Sequence, residues 1–404
     1  MAAISPFAAL RPTPASVARV AAVPYDVVNS DEAAALAGDD ALSFLRVSRP
    51  EIECVAGTHI YSDEVYARAE DNFDRLRRAA PLVVESTPSL YVYRLHMGAH
   101  VQTGVAACYS VNEYARGLIK KHEKTRPDKE DDRTRHILAL RAQTGPVFLT
   151  YRASSAVDDA VTSVTAGDPL FDFTAVDGVR HVVWRVPDAD EAPIVAAFAA
   201  VPALYIADGH HRAASAWRTH QALEAEGPGE HERFLAVAFP DVQMQVLPYN
   251  RVVRDLHGMT ADAFRAALAS RATITPGGSA TPARRGLVAM YLEAQWSTLD
   301  FGGVPAGLPL DAALDVSRLQ DVVLAPLLGI HDVRTDKRID FVGGIRGTAA
   351  IERLVDSGAF AVGFSLFAVS VDDLVRISDA GGIMPPKSTW FEPKLRDGVL
   401  SHLV

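Results

Sequence analysis

Between Ala203 and Glu226 an apolar strand runs without a spacer into a polar turn and then into an Ala-rich helix. Ala203-Leu204-Tyr205-Ile206 reads as the strand, Ala207-Asp208-Gly209-His210-His211-Arg212 as the turn, and Ala213 to about Glu226 as the helix. A strand that feeds a helix through so short a turn commits both to one α/β layer. The rest of the chain has to be built around that layer.

The turn has the chemistry of an anion site. Gly209 permits a tight, left-handed bend that a side chain would hinder. Asp208 can cap the helix, whose first amides and positive dipole end suit a phosphate. Arg212 adds a planar fork able to engage two phosphate oxygens, and His210 and His211 add two imidazoles. Two other readings stay open: a surface helix start with incidental histidines, and a metal site of Asp208, His210 and His211. Adjacent histidines diverge on regular backbone, so a shared metal demands an irregular turn.

Upstream, Lys120-Lys121-His122-Glu123-Lys124-Thr125-Arg126-Pro127-Asp128-Lys129-Glu130-Asp131-Asp132-Arg133 is dense in both signs. It reads either as a solvated helix start, with Pro127 in the first turn, or as a basic phosphate clamp beside a general base. In the second reading Glu123 takes the proton from an attacking hydroxyl. The spacing does not choose between them.

Strand and helix patterns alternate along the remainder. A cap at Asn29 or Ser30 starts one helix, and Tyr61 to Ala80 forms another with Val65, Ala69, Phe73 and Leu76 on one stripe. Leu90–Leu95 and Gln102–Tyr109 pair around Gly98. A helix running to about Gln143 precedes a strand at Pro146–Tyr151, and Phe234–Phe239 is a further strand. The stretch between Tyr151 and Ala203, rich in Ala, Asp and Ser, reads as variable. Beyond Thr260 come helical patterns at Ala261–Leu268, Val316–Leu328 and Ala349–Val355, with strands at Leu287–Leu292, Ile339–Val342 and Phe360–Leu366. The fold class is therefore mixed α/β, divided as an N-terminal α/β region over 1–110, a core over 111–258 and a C-terminal α/β region over 259–404.

Composition narrows the function. Apolar residues make up 49% and charged residues 22% of 404, a globular profile. The formal charge of -10 lacks the basic footprint of a nucleic-acid binder. Cys54 and Cys108 alone support neither a disulfide framework nor a Cys-rich zinc site. No signal peptide or membrane span is read, so the expectation is a soluble cytoplasmic protein without membrane partners.

Three outer motifs remain. A short apolar strand is expected to end in Val23-Pro24-Tyr25-Asp26-Val27-Val28, and Asp26, just after it, can bind a metal or a substrate amine, or cap the next helix. Pro248-Tyr249-Asn250-Arg251 is a turn whose arginine can join a phosphate site. Met384 to Lys394 is a Pro-rich loop that either clamps a substrate through Lys387 and Ser388 or straps the core with Trp390 and Phe391.

Together, Pro24 to Val28, His122 to Lys129, Ala207 to Arg212, Pro248 to Arg251 and Met384 to Lys394 make the chain resemble a bacterial domain-of-unknown-function family, family 1015. The middle region also resembles free-serine kinases of the ParB/sulfiredoxin-like fold, with a His-Glu pair before a helix, a strand, and an Asp-Gly-His-x-Arg turn opening another helix. Here roughly fifty residues separate that strand from the turn, far more than a usual connection. That resemblance implies a ParB/sulfiredoxin-like nucleotide-binding core and a kinase for a serine-like hydroxyl, using ATP or ADP with Mg²⁺. It implies Glu123 as catalytic base and Gly209, His210, His211 and Arg212 around the nucleotide phosphates; Asp208, His122 and Arg126 complete the expected phosphate site, with Arg212 also stabilising the developing charge. The alternatives are a ParB-type nucleotide-gated regulator and a metal-dependent hydrolase built on Asp208, His210 and His211.

Overall fold

The computed structural model describes residues 2–79 and 82–404. Backbone contacts divide the chain into two compact units. The first comprises the chain up to Lys121, Thr125–Met244 and Pro393–Val404; the second comprises His122–Lys124 and Gln245–Glu392.

The architecture is mixed α/β. In the first unit a mixed sheet holds nine strands among the described residues. Its order is Ile119–Lys120, Leu204–Asp208, Val147–Tyr151, Arg233–Pro240, His100–Ser110, Tyr91–Met97, Arg180–Arg185 and Phe171–Thr174, with Ile4–Ser5 also on His100–Ser110. Leu204–Asp208 runs parallel to Ile119–Lys120 and antiparallel to Val147–Tyr151, which is parallel to Arg233–Pro240. The central strands are buried on both faces, so they read as continuous apolar runs. The expected hairpin is present, with Tyr91 opposite Ala106 and Gly98 at positive φ in its turn.

Local signals account for the flanking helices. Asn29 caps Ser30–Ala37 through a capping box with Glu32. The helix expected over Tyr61 to Ala80 runs Asp63–Ala79, and Ala80 lies outside the described residues. Pro127 opens Pro127–Leu140, which ends at Arg141 in the left-handed region. Ser215 Oγ on the helix His210–Leu223 donates to the Glu130 carbonyl at 3.1 Å, and Arg218 pairs with Glu130 and Asp131, tying these two helices together.

Two readings need correction. The stretch between Tyr151 and Ala203 is regular structure: helices Ser155–Thr165 and Asp188–Ala199 flank the strand pair Phe171–Thr174 and Arg180–Arg185. Its Ala and Asp content hid short elements whose apolar positions face the core. The apolar run before Pro24 is not a strand; Ala22 makes one isolated bridge, to Asp397.

That bridge marks the C-terminal strap. Asp397 and Ala22 exchange both backbone bonds, at 2.9 and 3.1 Å. Gly398 donates to the Thr144 carbonyl, and His402–Leu403 pairs with Ala142–Gln143. Gly398 has φ +78°, and a Cβ there would meet the Phe44 ring at 2.4 Å, so only glycine lets the strap pass.

The second unit carries a six-stranded antiparallel sheet in the order Thr273–Pro276, Gln295–Asp300, Leu287–Leu292, Val362–Leu366, Tyr249–Val253 and Ile339–Gly343. The helical pattern expected over Val316–Leu328 is shorter, a helix Asp315–Leu319 continuing into a wide turn at Gln320–Leu324. No helix among the described residues is long and apolar enough to cross a membrane.

Candidate phosphate-binding turn

The strand Leu204–Asp208 carries a bulge at its end. Ile206 pairs with Leu149 and Asp208 with Phe148, leaving Ala207 as the extra residue. A bulge bends the strand and re-aims the residues after it. Gly209 then takes φ +89° and stands as N-cap of the helix His210–Leu223. A Cβ at Gly209 would lie 2.9 Å from Arg212 Nε, so glycine is required by the backbone angle and by the guanidinium beneath it.

Among the described residues no side chain caps this helix start, and Ala213 N to the Gly209 carbonyl is its first internal bond. The expected capping by Asp208 does not occur. Asp208 Oδ2 instead accepts from Lys394 Nζ at 3.1 Å and faces Arg212 Nη2 at 3.4 Å. Burial alone would raise the Asp208 pKa; Lys394, and then Arg212, outweigh it and hold the carboxylate well below its ordinary range.

Arg212 is 8% exposed. Its Nη1 donates to the Pro146 carbonyl, and its Nη2 lies between Asp208 and Asp26, 3.9 Å from Asp26 Oδ2. Burial opposes its charge, but Asp26 and Asp208 keep it firmly protonated. The expectation that this fork faces a phosphate therefore meets a guanidinium turned into the protein, where it locks the turn to the Pro146 strand. Asp26, which does not cap the helix begun by Asn29, is drawn into the same cluster.

Asp397 completes the cluster from the strap. Burial pushes its pKa up to about 7, and Arg212 only partly offsets this because Asp26 adds like charge. With Tyr25, Ser48, Arg133 and His136, Arg212 and Asp397 line a cavity of about 40 Å³. Among the described residues, none is a hydrogen-bond partner of the buried Ser48 Oγ, Arg212 Nε or Asp397 Oδ1.

His210 is 6% exposed. His211 is less buried, and its Nε2 accepts the Arg126 amide at 3.1 Å. A neutral imidazole that accepts on Nε2 carries its proton on Nδ1. The Arg126 side chain is exposed and engages Asp128 at 2.8 Å. Asp26, Arg126, Asp208, Gly209, His210, His211 and Arg212 thus all belong to the first unit. Sequence reading missed Lys394 and Asp397 as members of the cluster, although Lys394 closes a motif it had singled out.

His122, Glu123, Lys387 and Ser388 belong to the second unit. His122 is buried; its carbonyl accepts the Met384 amide at 2.7 Å, and its Nε2 meets Thr389 Oγ1 at 3.4 Å. Lys387 has φ 58°, with Nζ 5.5 Å from the centre of the Tyr249 ring. Ser388 turns inward and donates to the Pro385 carbonyl at 2.6 Å, so the expected substrate hydroxyl contact is a loop-closing bond. Trp390 and Phe391 act as anchors on the strand Trp390–Glu392, paired with Gln245–Leu247. Arg251, also in this unit, donates to the Pro386 and Lys387 carbonyls.

Among solved structures, a free serine kinase mutant in complex with AMP is 13% identical, at a TM-score of 0.37 over 72% of this chain and 92% of that one. A conserved hypothetical protein from Pyrococcus furiosus is 14% identical, at 0.34 over 74% and 95%. SbnI with a C-terminal truncation, from Staphylococcus aureus, is 12% identical, at 0.38 over 72% and 85%. No curated protein matches the chain. A family model does match, over residues 4–317, and the chain belongs to that family, described as protein of unknown function (DUF1015).

Proposed function

We propose that the chain is a nucleotide-dependent kinase that phosphorylates the hydroxyl of a small, serine-like metabolite. The observation that carries the reading is the Gly209 turn: a bulged strand end, a left-handed glycine, and a helix of fourteen residues whose start no side chain among the described residues caps. Such a helix start favours the phosphate chain of ATP or ADP. His210, His211 and the exposed Arg126 would border the phosphates, while Arg212 holds Asp208 and Asp26 in place.

Mg²⁺ takes oxygen donors and, bound with the nucleotide, would screen the phosphate charge. Asp208 and Asp26 already meet Arg212, and Asp208 also meets Lys394, so these carboxylates have their counter-charges within the fold.

Glu123 is assigned as the base by the His122-Glu123 motif; it would accept the hydroxyl proton as the oxygen attacks phosphorus. The test is incubation with a nucleotide panel and pooled metabolites, reading new phosphorylated products by mass spectrometry. Glu123→Gln should fold and bind nucleotide yet lose transfer. Normal turnover in that variant removes the base assignment, and absence of any phosphorylated product removes the kinase reading.

A further inference from the structure

Inside the second unit lies a cavity of about 570 Å³, the size of a metabolite pocket. Arg251, on the strand Tyr249–Val253, forms part of its wall and is 1% exposed. Its donors reach the carbonyls of Tyr249, Pro386 (3.3 Å) and Lys387 (3.0 Å), and its guanidinium lies 5.4 Å from the centre of the Phe341 ring. Among the described residues no carboxylate forms an ion pair with it, and burial draws its pKa down to about 10. An arginine keeps its charge even so. A buried cation met only by carbonyl dipoles lacks the counter-charge that buried charges ordinarily have.

Gln320, another residue of the wall, carries a second unmet group. After the helix Asp315–Leu319 the backbone widens into the turn Gln320–Leu324, closed by Ala325 N to the Gln320 carbonyl at 3.0 Å. Gln320 Nε2 donates to the Ile330 carbonyl at 2.7 Å, which fixes the amide orientation because that carbonyl can only accept. Gln320 Oε1 is then buried, and among the described residues no donor meets it. The other cation of the loop Asp332–Arg334 is already satisfied, since Arg334 grips Asp332 at 2.8 and 3.0 Å. Elsewhere the wall carries the exposed Lys124 together with the acidic Asp311 and Asp321.

We propose that this cavity binds a small organic acid whose carboxylate pairs with Arg251 and whose hydroxyl or amine donates to Gln320 Oε1. The inference stands apart from the phosphoryl-transfer reading, because it uses neither the Gly209 turn nor Glu123.

Calorimetry on the full chain tests it with five probes: glycerate, alanine, acetate, glycerol and inorganic phosphate. Glycerate or alanine should bind more tightly than acetate, which lacks the donor, and than glycerol, which lacks the charge. The contrast between glycerate and alanine separates a hydroxyl from an amine. Arg251→Gln should weaken the preferred acid roughly 10- to 100-fold. If that variant fails to fold, Gln320→Leu decides: it should abolish the preference over acetate while leaving acetate binding unchanged. Binding of phosphate alone, saturation by none of the acids, or an unchanged preference in Gln320→Leu would each overturn the proposal.

Discussion

Lys394 Nζ lies 3.1 Å from Asp208 Oδ2, across 186 positions of sequence. One residue ends the Pro-rich motif and begins the buried C-terminal strap; the other ends the strand that feeds the turn. Their pairing keeps a carboxylate ionised beside a helix start, an arrangement that burial by itself would oppose.

Lys394→Met leaves Asp208 with Arg212 as its remaining ion-pair partner. Because the Asp208 side chain keeps 26% of its exposure, the loss should be about 1–2 kcal/mol, below that of a fully buried pair. A carboxylate with a depressed folded pKa contributes stability above its unfolded pKa and loses it on acidification. The deficit of the variant should therefore be full at neutral pH and shrink below about pH 4. Urea unfolding across pH measures it; a deficit that does not change with pH would mean the pairing is not what stabilises the strap.

Asp397 has the opposite linkage. Its folded pKa of about 7 exceeds the unfolded value, so the fold holds a proton that the unfolded chain releases, and stability falls as pH rises from about 4 to 7. Asp397→Asn should gain stability relative to the parent, and gain more at pH 8 than at pH 5. Melting temperatures at the two pH values check this, and an equal shift at both would show that Asp397 is ionised throughout.

His136, on the wall of the same cavity, pulls the other way. Burial, with Arg133 next, lowers its pKa to about 4, and its Nε2 lies 2.9 Å from the Val47 carbonyl. The unfolded chain takes up a proton that the fold refuses, so stability falls as pH drops from about 6.5 towards 4. The two groups partly cancel in the parent. His136→Gln should remove the acid-side loss and expose the Asp397 slope, visible as a steeper decline of denaturation midpoint between pH 5 and 7.

Gly209→Ala should cost about 1–2 kcal/mol for the left-handed backbone, with a further loss as Arg212 is displaced from its place 2.9 Å beneath the new Cβ. Nucleotide binding, read by calorimetry, should fall more than the stability loss explains, since the helix start itself shifts. Wild-type affinity in a folded variant would place the phosphate elsewhere.

The strand, turn and helix at Leu204–Leu223 were legible because each is written in adjacent residues: apolar run, glycine, Ala-rich helix. The capping box at Asn29 and Pro127 at the first helical position were legible for the same reason. The bulge at Ala207 was not, since a register shift belongs to the partner strand as much as to its own. Nor was the inward turn of Arg212: a fork beside a phosphate turn looks identical in sequence whether it faces a ligand or Asp26 and Asp208. Ser388 misled in the same way, its hydroxyl going to a carbonyl three residues back.

By itself, then, the sequence determined the family, the α/β class and the location of the candidate anion-binding turn, because propensity, capping and glycine geometry act within a few residues. The tertiary structure alone decided which charges meet. Asp26, Asp208 and Asp397 converge on one guanidinium, and Lys394 on Asp208, only through strand pairing and the buried strap, and electrostatic partnership depends on distance in space and on burial, neither of which spacing along the chain encodes.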